Sequence, residues 1–161
     1  MDPELAQLSF ETGEFLRDRN FRLCTVESCT GGWIGELVTA TAGSSNWYDR
    51  GFITYSNDAK VELLGVDPGL LRTYGAVSEE AVRAMVLGGL ERSNADLVLA
   101  VSGIAGPGGG TGERPVGTVC FAWTRRDDPA HTATLRFSGD RQAVRRQAVM
   151  HALRTLQRLY E

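Results

Sequence analysis

Two side chains capable of nucleophilic attack stand together in the stretch Glu27-Ser28-Cys29-Thr30-Gly31-Gly32. It follows a short apolar run, Phe21 to Val26, and precedes Trp33, Ile34, Leu37 and Val38 at helical spacing. A strand that ends in small polar residues and turns at once into a helix leaves N–H groups unpaired beside a partial positive charge. Such an end suits an anion or a developing oxyanion, so the N–H groups near Thr30 and Gly31 are candidate oxyanion donors beside Ser28 and Cys29. The same residues equally fit a plain helix cap, with Ser28 or Thr30 bonding the first turn. A hydroxyl nucleophile also needs a base. His131 falls in or near a hairpin loop and His151 late in the final helix, so both read as structural or solvent-exposed. Lys60 is then the natural base.

Two further features suit a ligand. The most glycine-dense segment, Gly103-Ile104-Ala105-Gly106-Pro107-Gly108-Gly109-Gly110-Thr111-Gly112, follows an apolar strand ending in Ser102. It is not a Walker A loop, because no Gly-Lys-Ser/Thr ends it, and not a dinucleotide fingerprint, because no helix follows. Its place at the carboxyl edge of a sheet favours a ligand-cradling loop, where glycine lets backbone approach closely, over the alternative of a disordered connector. Arg141 and Arg145 lie four apart in the opening turns of the last helix, where cations oppose the macrodipole. A bound anion would compensate; exposed arginines screened by Asp140 are the alternative.

The elements that must position these residues follow from periodicity. Residues 4–19 place Leu5, Leu8, Thr12, Phe15 and Leu16 on one helical face. Phe21–Val26 is the first strand, followed by the turn and a helix to about Thr41. Phe52-Ile53-Thr54-Tyr55 is the second strand, which puts Tyr55 at a strand end. Asn57 caps a short helix through Lys60 that stops at Gly65. Asp67-Pro68 starts another short helix, and Ser78-Glu79-Glu80 a longer one striped by Val82, Met85, Val86 and Leu90. Asp96–Ser102 is apolar throughout, as a central strand covered on both faces should be. Gly117–Thr124 and Thr132–Phe137 form a late hairpin, and the last helix opens at Ser138-Gly139-Asp140. Interleaved strands and helices with one hairpin predict a single three-layer α/β/α domain over residues 1–161, with a mixed, mostly parallel sheet.

Composition narrows the class. The chain has 161 residues, 42% hydrophobic and 23% charged, with a net charge of −3. That balance predicts neither a nucleic-acid surface nor a membrane surface as partner. No apolar run approaches the roughly 20 residues of a membrane span. Met1-Asp2-Pro3-Glu4 is acidic where a secretory signal is basic, and Cys24, Cys29 and Cys120 are scattered without CxxC spacing. A cytoplasmic location is expected.

Several motifs then occur in order. Glu27–Gly32 is followed by Thr54-Tyr55-Ser56-Asn57 with Lys60, Leu64-Gly65-Val66 and Gly75-Ala76-Val77-Ser78. Ser102-Gly103-Ile104-Ala105-Gly106-Pro107, Pro115-Val116-Gly117-Thr118-Val119 and Phe137-Ser138-Gly139-Asp140-Arg141 complete the series. From about residue 5 to 158 the chain resembles the C-terminal domain of the competence/damage-inducible CinA proteins, a domain that also stands alone as a nicotinamide-nucleotide amidohydrolase. The resemblance implies hydrolysis of nicotinamide mononucleotide to nicotinate mononucleotide and ammonia, in pyridine nucleotide recycling, without metal or other cofactor. It implies Ser28 as nucleophile with Tyr55 and Lys60 handling protons. Ser102 and the Gly103–Gly110 loop, with Gly103, Gly106, Gly108 and Gly109 in particular, would line the nucleotide pocket, and Arg141 would help hold the phosphate. A homo-oligomer, a dimer in particular, is expected. Val26 stands where the family pattern has a small Ala, and Arg114 where Lys usually precedes Pro-Val-Gly-Thr-Val. The larger N-terminal domain of the long family members has no counterpart in this sequence, so nothing it does carries over.

The expected mechanism has neutral Lys60 taking the Ser28 proton, directly or through Tyr55, with N–H groups near Thr30 and Gly31 on the oxyanion. Glu27 should point away from Lys60 or be engaged elsewhere, for instance by backbone N–H groups, because a facing carboxylate would hold the ammonium charged. Two other readings compete: a nucleotide-binding module without turnover, and a thiol enzyme using Cys29. In an extended segment Ser28 and Cys29 should face opposite sides and not share the pocket.

Overall fold

The computed structural model describes residues 1–161 and builds one five-stranded sheet flanked by six α-helices. Helix α1 (Pro3–Asp18) is capped by Asp2, whose carboxylate accepts from the Glu4 and Leu5 N–H groups. Strand β1 (Leu23–Glu27) leads through the glycine turn into α2 (Trp33–Thr39), and β2 (Tyr48–Ile53) follows. The short helices α3 (Asn57–Leu64) and α4 (Pro68–Tyr74) precede α5 (Glu79–Glu91). Strand β3 (Leu97–Gly103), the hairpin β4 (Thr118–Arg125) and β5 (His131–Arg136), and α6 (Arg141–Tyr160) complete the chain.

Strand order is β2-β1-β3-β4-β5. β1 pairs in parallel with β2 and β3, while β3–β4 and β4–β5 are antiparallel. The sheet is therefore mixed, as expected, but evenly divided instead of mostly parallel. The late hairpin adds two antiparallel pairings at one edge.

β3 shows why its apolar run is continuous. Leu97, Leu99 and Val101 pack with α1, α2 and α6, while Val98 and Ala100 pack with α3 and α5 on the other face. Both sides of a period-2 strand are thus buried, which makes three layers. On α1 the expected stripe is the buried one, Leu5, Leu8, Thr12, Phe15 and Leu16. Trp123 closes the β4–α6 contact by donating its indole N–H to the Ala152 carbonyl at 2.9 Å.

Two boundaries move in ways that matter. β2 begins at Tyr48 and ends at Ile53, so Thr54 and Tyr55 lie in the connection beyond the strand. Ser56, not Asn57, caps α3, accepting from the Ala59 N–H at 3.0 Å. Asn57 becomes the first helical residue, and its carboxamide makes no hydrogen bond within the chain.

The order β2-β1-β3 arises because the chain leaves β1 towards one side and later returns on the other. In open α/β sheets the carboxyl ends at such a reversal form a crevice. Here those ends are Ser28 after β1 and Ser102 near the end of β3.

Candidate active site

The crevice is a cleft of about 210 Å³ walled by Ser28, Cys29, Tyr55, Asn57, Lys60, Ala76, Val77, Ser102, Gly103, Ala105 and Arg141. Its floor is a buried pair: Lys60 Nζ lies 3.1 Å from Ser28 Oγ. Lys60 is 1% exposed, and its ammonium nitrogen also reaches the Thr54 carbonyl at 2.8 Å and the Tyr55 carbonyl at 3.5 Å. These carbonyls follow β2, and the lysine sits in the first turn of α3, so the β2–α3 connection wraps the amine in its own backbone. Burial pushes the Lys60 pKa down from the ordinary lysine value. Nζ donates to all three oxygens as an ammonium does; deprotonated, it would keep two N–H groups for the carbonyls and turn a lone pair to the Ser28 proton.

Glu27 is engaged as expected. Its Oε1 accepts from the Thr30 hydroxyl (2.6 Å) and the Gly32 and Ile34 N–H groups (3.2 and 2.9 Å), and Oε2 accepts from Gly35 N–H at 3.0 Å. The carboxylate thereby occupies the free donors of the first turn of α2, a charge-assisted cap delivered from the preceding strand. This corrects the expectation that those helical N–H groups serve an oxyanion. Gly31 and Gly32 take φ of +61° and +104°, left-handed values that let the chain fold back around the carboxylate.

Gly31 is also removed as an oxyanion donor, because its N–H bonds the Ser28 carbonyl at 3.0 Å. The Ser28 N–H continues the sheet to the Val101 carbonyl at 3.0 Å. The N–H groups of Cys29 and Thr30 have no acceptor in the chain.

The strand ends at Glu27 and a turn begins at Ser28, so strand alternation does not reach Cys29, and both residues border the cleft. The thiol is nonetheless packed into the core on the α1–α2–α6 side, and burial pushes its pKa up to about 12. At neutral pH almost none of it is thiolate, the form a thiol enzyme requires.

Tyr55 and Arg141 meet at the cleft. The Arg141 guanidinium donates to the Tyr55 hydroxyl at 3.1 Å and to the Gly106 carbonyl at 2.8 Å. Tyr55 is 60% exposed, and its hydroxyl makes no bond to Ser28 or Lys60. Arg145 points elsewhere, bonding the carbonyls of Cys29 and Thr30. Of the two arginines only Arg141 borders the cleft.

Ser102, Gly103 and Arg141 therefore gather around Ser28 and Lys60, and Gly106 joins through Arg141. Gly108 and Gly109 stay in the exposed part of the loop and do not border the cleft, and Thr30 and Gly31 line a separate depression with Trp33 and Arg145. Ala105 borders the cleft as part of the loop expected there, whereas Asn57, Ala76 and Val77 were not foreseen as cleft residues. Asn57 had a signal, since Ser56 beside it can cap and so release the neighbouring carboxamide. No group of three or more His, Cys, Asp or Glu side chains converges as a metal site, and no helix is long and apolar enough to cross a membrane. His151 packs against the rings of Phe121, Trp123 and Phe137, a structural place as expected.

Known proteins share this architecture. The family defined by the CinA C-terminal domain matches residues 5–160. The nicotinamide-nucleotide amidohydrolase PncC of Escherichia coli K12 is 50% identical over 155 residues, covering 96% of this chain and 94% of that protein. A CinA-like protein of Mycobacterium marinum is 45% identical over 95% of this chain, which spans 36% of that longer protein. The crystal structure of a competence/damage inducible protein from Agrobacterium tumefaciens superposes with a TM-score of 0.96 at 40% identity, covering 100% of this chain and 98% of that one. A CinA superfamily structure from Escherichia coli gives 0.92 at 37% identity, over 96% and 90% of the two chains. With the domain model spanning nearly every residue and the fold shared throughout, this chain belongs to the CinA C-terminal domain family.

Proposed function

We propose that residues 1–161 form one amidohydrolase domain that converts nicotinamide mononucleotide and water to nicotinate mononucleotide and ammonia through an acyl-enzyme on Ser28. The observation that carries this reading is the buried Lys60 amine 3.1 Å from the Ser28 hydroxyl, in a chain half identical to a protein named for that activity. Lys60 takes the Ser28 proton directly, and Oγ attacks the carboxamide carbon. The free N–H groups of Cys29 and Thr30 receive the negative oxygen, and Lys60 returns the proton to the departing ammonia. Water, deprotonated by the same amine, then bonds to the acyl carbon; the bond to Oγ breaks, Lys60 returns the proton to Ser28, and the carboxylic acid leaves.

Arg141 and Tyr55 hold the phosphate end at the cleft, with Ser102, Gly103 and Asn57 along the sugar and ring. The Tyr55 hydroxyl, bonded by Arg141, is better placed for substrate contact than for a relay to Lys60. The enzyme works on a small molecule, as a cytoplasmic homodimer in pyridine nucleotide recycling, with no nucleic-acid or membrane partner and no cofactor.

Ammonia release across a panel of nicotinamide nucleotides tests the reading, with calorimetry on the same ligands in parallel. Turnover of the mononucleotide is the expected result. Binding without ammonia release would make the domain a nucleotide-binding module and overturn the assignment.

A further inference from the structure

We infer that Arg145 is a positioning residue for this chemistry: it holds the Cys29–Thr30 peptide so that the Thr30 N–H faces the substrate carbonyl oxygen. The inference rests on the amidohydrolase reading and goes beyond it. Arg145 reaches from α6 to the turn after β1, where Nε donates to the Cys29 carbonyl and Nη2 to the Thr30 carbonyl, both at 3.1 Å. Its Nη1 touches Gln142 Oε1 at 3.4 Å, and Cζ lies 5.4 Å from the Trp33 ring centroid. It is in no ion pair and does not border the cleft, and of its contacts only the two peptides it grips lead to the cleft, through Cys29.

Peptide geometry gives the direction of that action. In a trans peptide the C=O and N–H point opposite ways, and the only cis bond in the chain is Gly106–Pro107. Both carbonyls face Arg145, so the N–H groups of Thr30 and Gly31 face away from it. For Gly31 this is seen directly, in its bond to the Ser28 carbonyl. The Thr30 N–H shares the orientation but has no acceptor in the chain, although Thr30 is fully buried. A buried N–H without a partner is rare in native proteins. With the Cys29 N–H, it is one of two donors left over for an oxygen arriving on Ser28, and it is the one whose peptide Arg145 grips. The guanidinium also polarises the same peptide from its carbonyl end, which strengthens the N–H as a donor.

The test compares wild type with Arg145→Gln and Arg145→Lys on nicotinamide mononucleotide, with two ligands as controls. Nicotinate mononucleotide reports ground-state affinity. The 3-carbaldehyde analogue of the mononucleotide reports the tetrahedral state: Ser28 Oγ bonds to the aldehyde carbon, the C=O π pair moves to oxygen, and the serine proton passes to Lys60. Removing an oxyanion-hole donor typically costs 10²–10³-fold in kcat. Loosening one without deleting it should cost about 10–100-fold, with the aldehyde affinity falling in step and the KM and product affinity within about twofold. Lysine is a point charge that cannot span both carbonyls as the planar fork does, so Arg145→Lys should fall between. If Arg145→Gln does not fold, Arg145→Lys supplies the measurement.

Three results would overturn the inference: kcat within twofold of wild type, a loss confined to KM, or a fall in kcat with aldehyde affinity unchanged. The second would return Arg145 to phosphate binding, and the third would leave it a structural brace. If wild type releases no ammonia at all, the amidohydrolase reading fails. The aldehyde affinities of the variants still decide the role of Arg145.

Discussion

Replacing Lys60 with arginine keeps a cation and its donors but removes the ability to accept a proton, because guanidinium does not deprotonate in proteins. Nζ is enclosed by Ser28 Oγ and two backbone carbonyls, and no carboxylate bonds it. Burial is the first cause of its lowered pKa. An ordinary lysine with pKa 10.4 would be neutral in about one molecule in a thousand at pH 7.4, and each unit of depression raises that fraction about tenfold. A positioned base contributes typically 10²–10⁴-fold, so Lys60→Arg should lose about that much kcat. The pH profile of kcat/KM for ammonia release should show an acid limb well below 10. Stability gives an independent check. Because the folded pKa lies below the unfolded one, the unfolded chain binds the extra proton between the two values, and stability rises with pH across that window. The cost of the buried ammonium is fully present below the folded pKa and gone above about 10.4, at about 1.4 kcal/mol per unit of depression. Lys60→Met removes it, so its stability relative to wild type should be greatest near neutrality and decline towards pH 10 in denaturant titrations. An active Lys60→Arg enzyme, or an acid limb near 10.4, would refute the base role. A stability difference flat with pH would refute the desolvation argument.

Ser28→Ala should abolish ammonia release while melting close to wild type, and Cys29→Ser should keep substantial activity; the reverse pattern would move the nucleophile to the thiol. Arg141→Ala should raise KM for the mononucleotide far more than for the nucleoside, a difference of about 1.5–3 kcal/mol for one charge-assisted contact. Equal effects on both substrates would remove Arg141 from the phosphate. Glu27→Gln turns one acceptor oxygen into a donor facing N–H groups, so it should destabilise the fold by about 1–3 kcal/mol in urea titrations and lower kcat with it. Wild-type stability in that variant would mean that the four bonds to Glu27 do not hold the turn.

Most of the architecture was legible along the chain, because its signals are local. The α1 stripe, the Asp67-Pro68 and Ser78 starts, and the continuous apolar run of β3 each follow from periodicity or capping chemistry acting within a few residues. Ser28 and Lys60 could be singled out as a candidate pair from residue type and neighbourhood, and the fold brings them within 3.1 Å; the engagement of Glu27 was expected from the charge that a basic Lys60 must not meet. What the sequence could not supply was which donors were already occupied. Glu27 takes the α2 N–H groups and the Ser28 carbonyl takes the Gly31 N–H, leaving those of Cys29 and Thr30, and this depends on a turn whose shape two left-handed glycines set. The even division of the sheet, the release of Asn57 by Ser56, and the different tasks of Arg141 and Arg145 were likewise decided at long range. Two arginines one helical turn apart look alike in sequence. In the folded chain one reaches the Gly106 loop and Tyr55, and the other reaches the Cys29 and Thr30 carbonyls, because α6 passes between both.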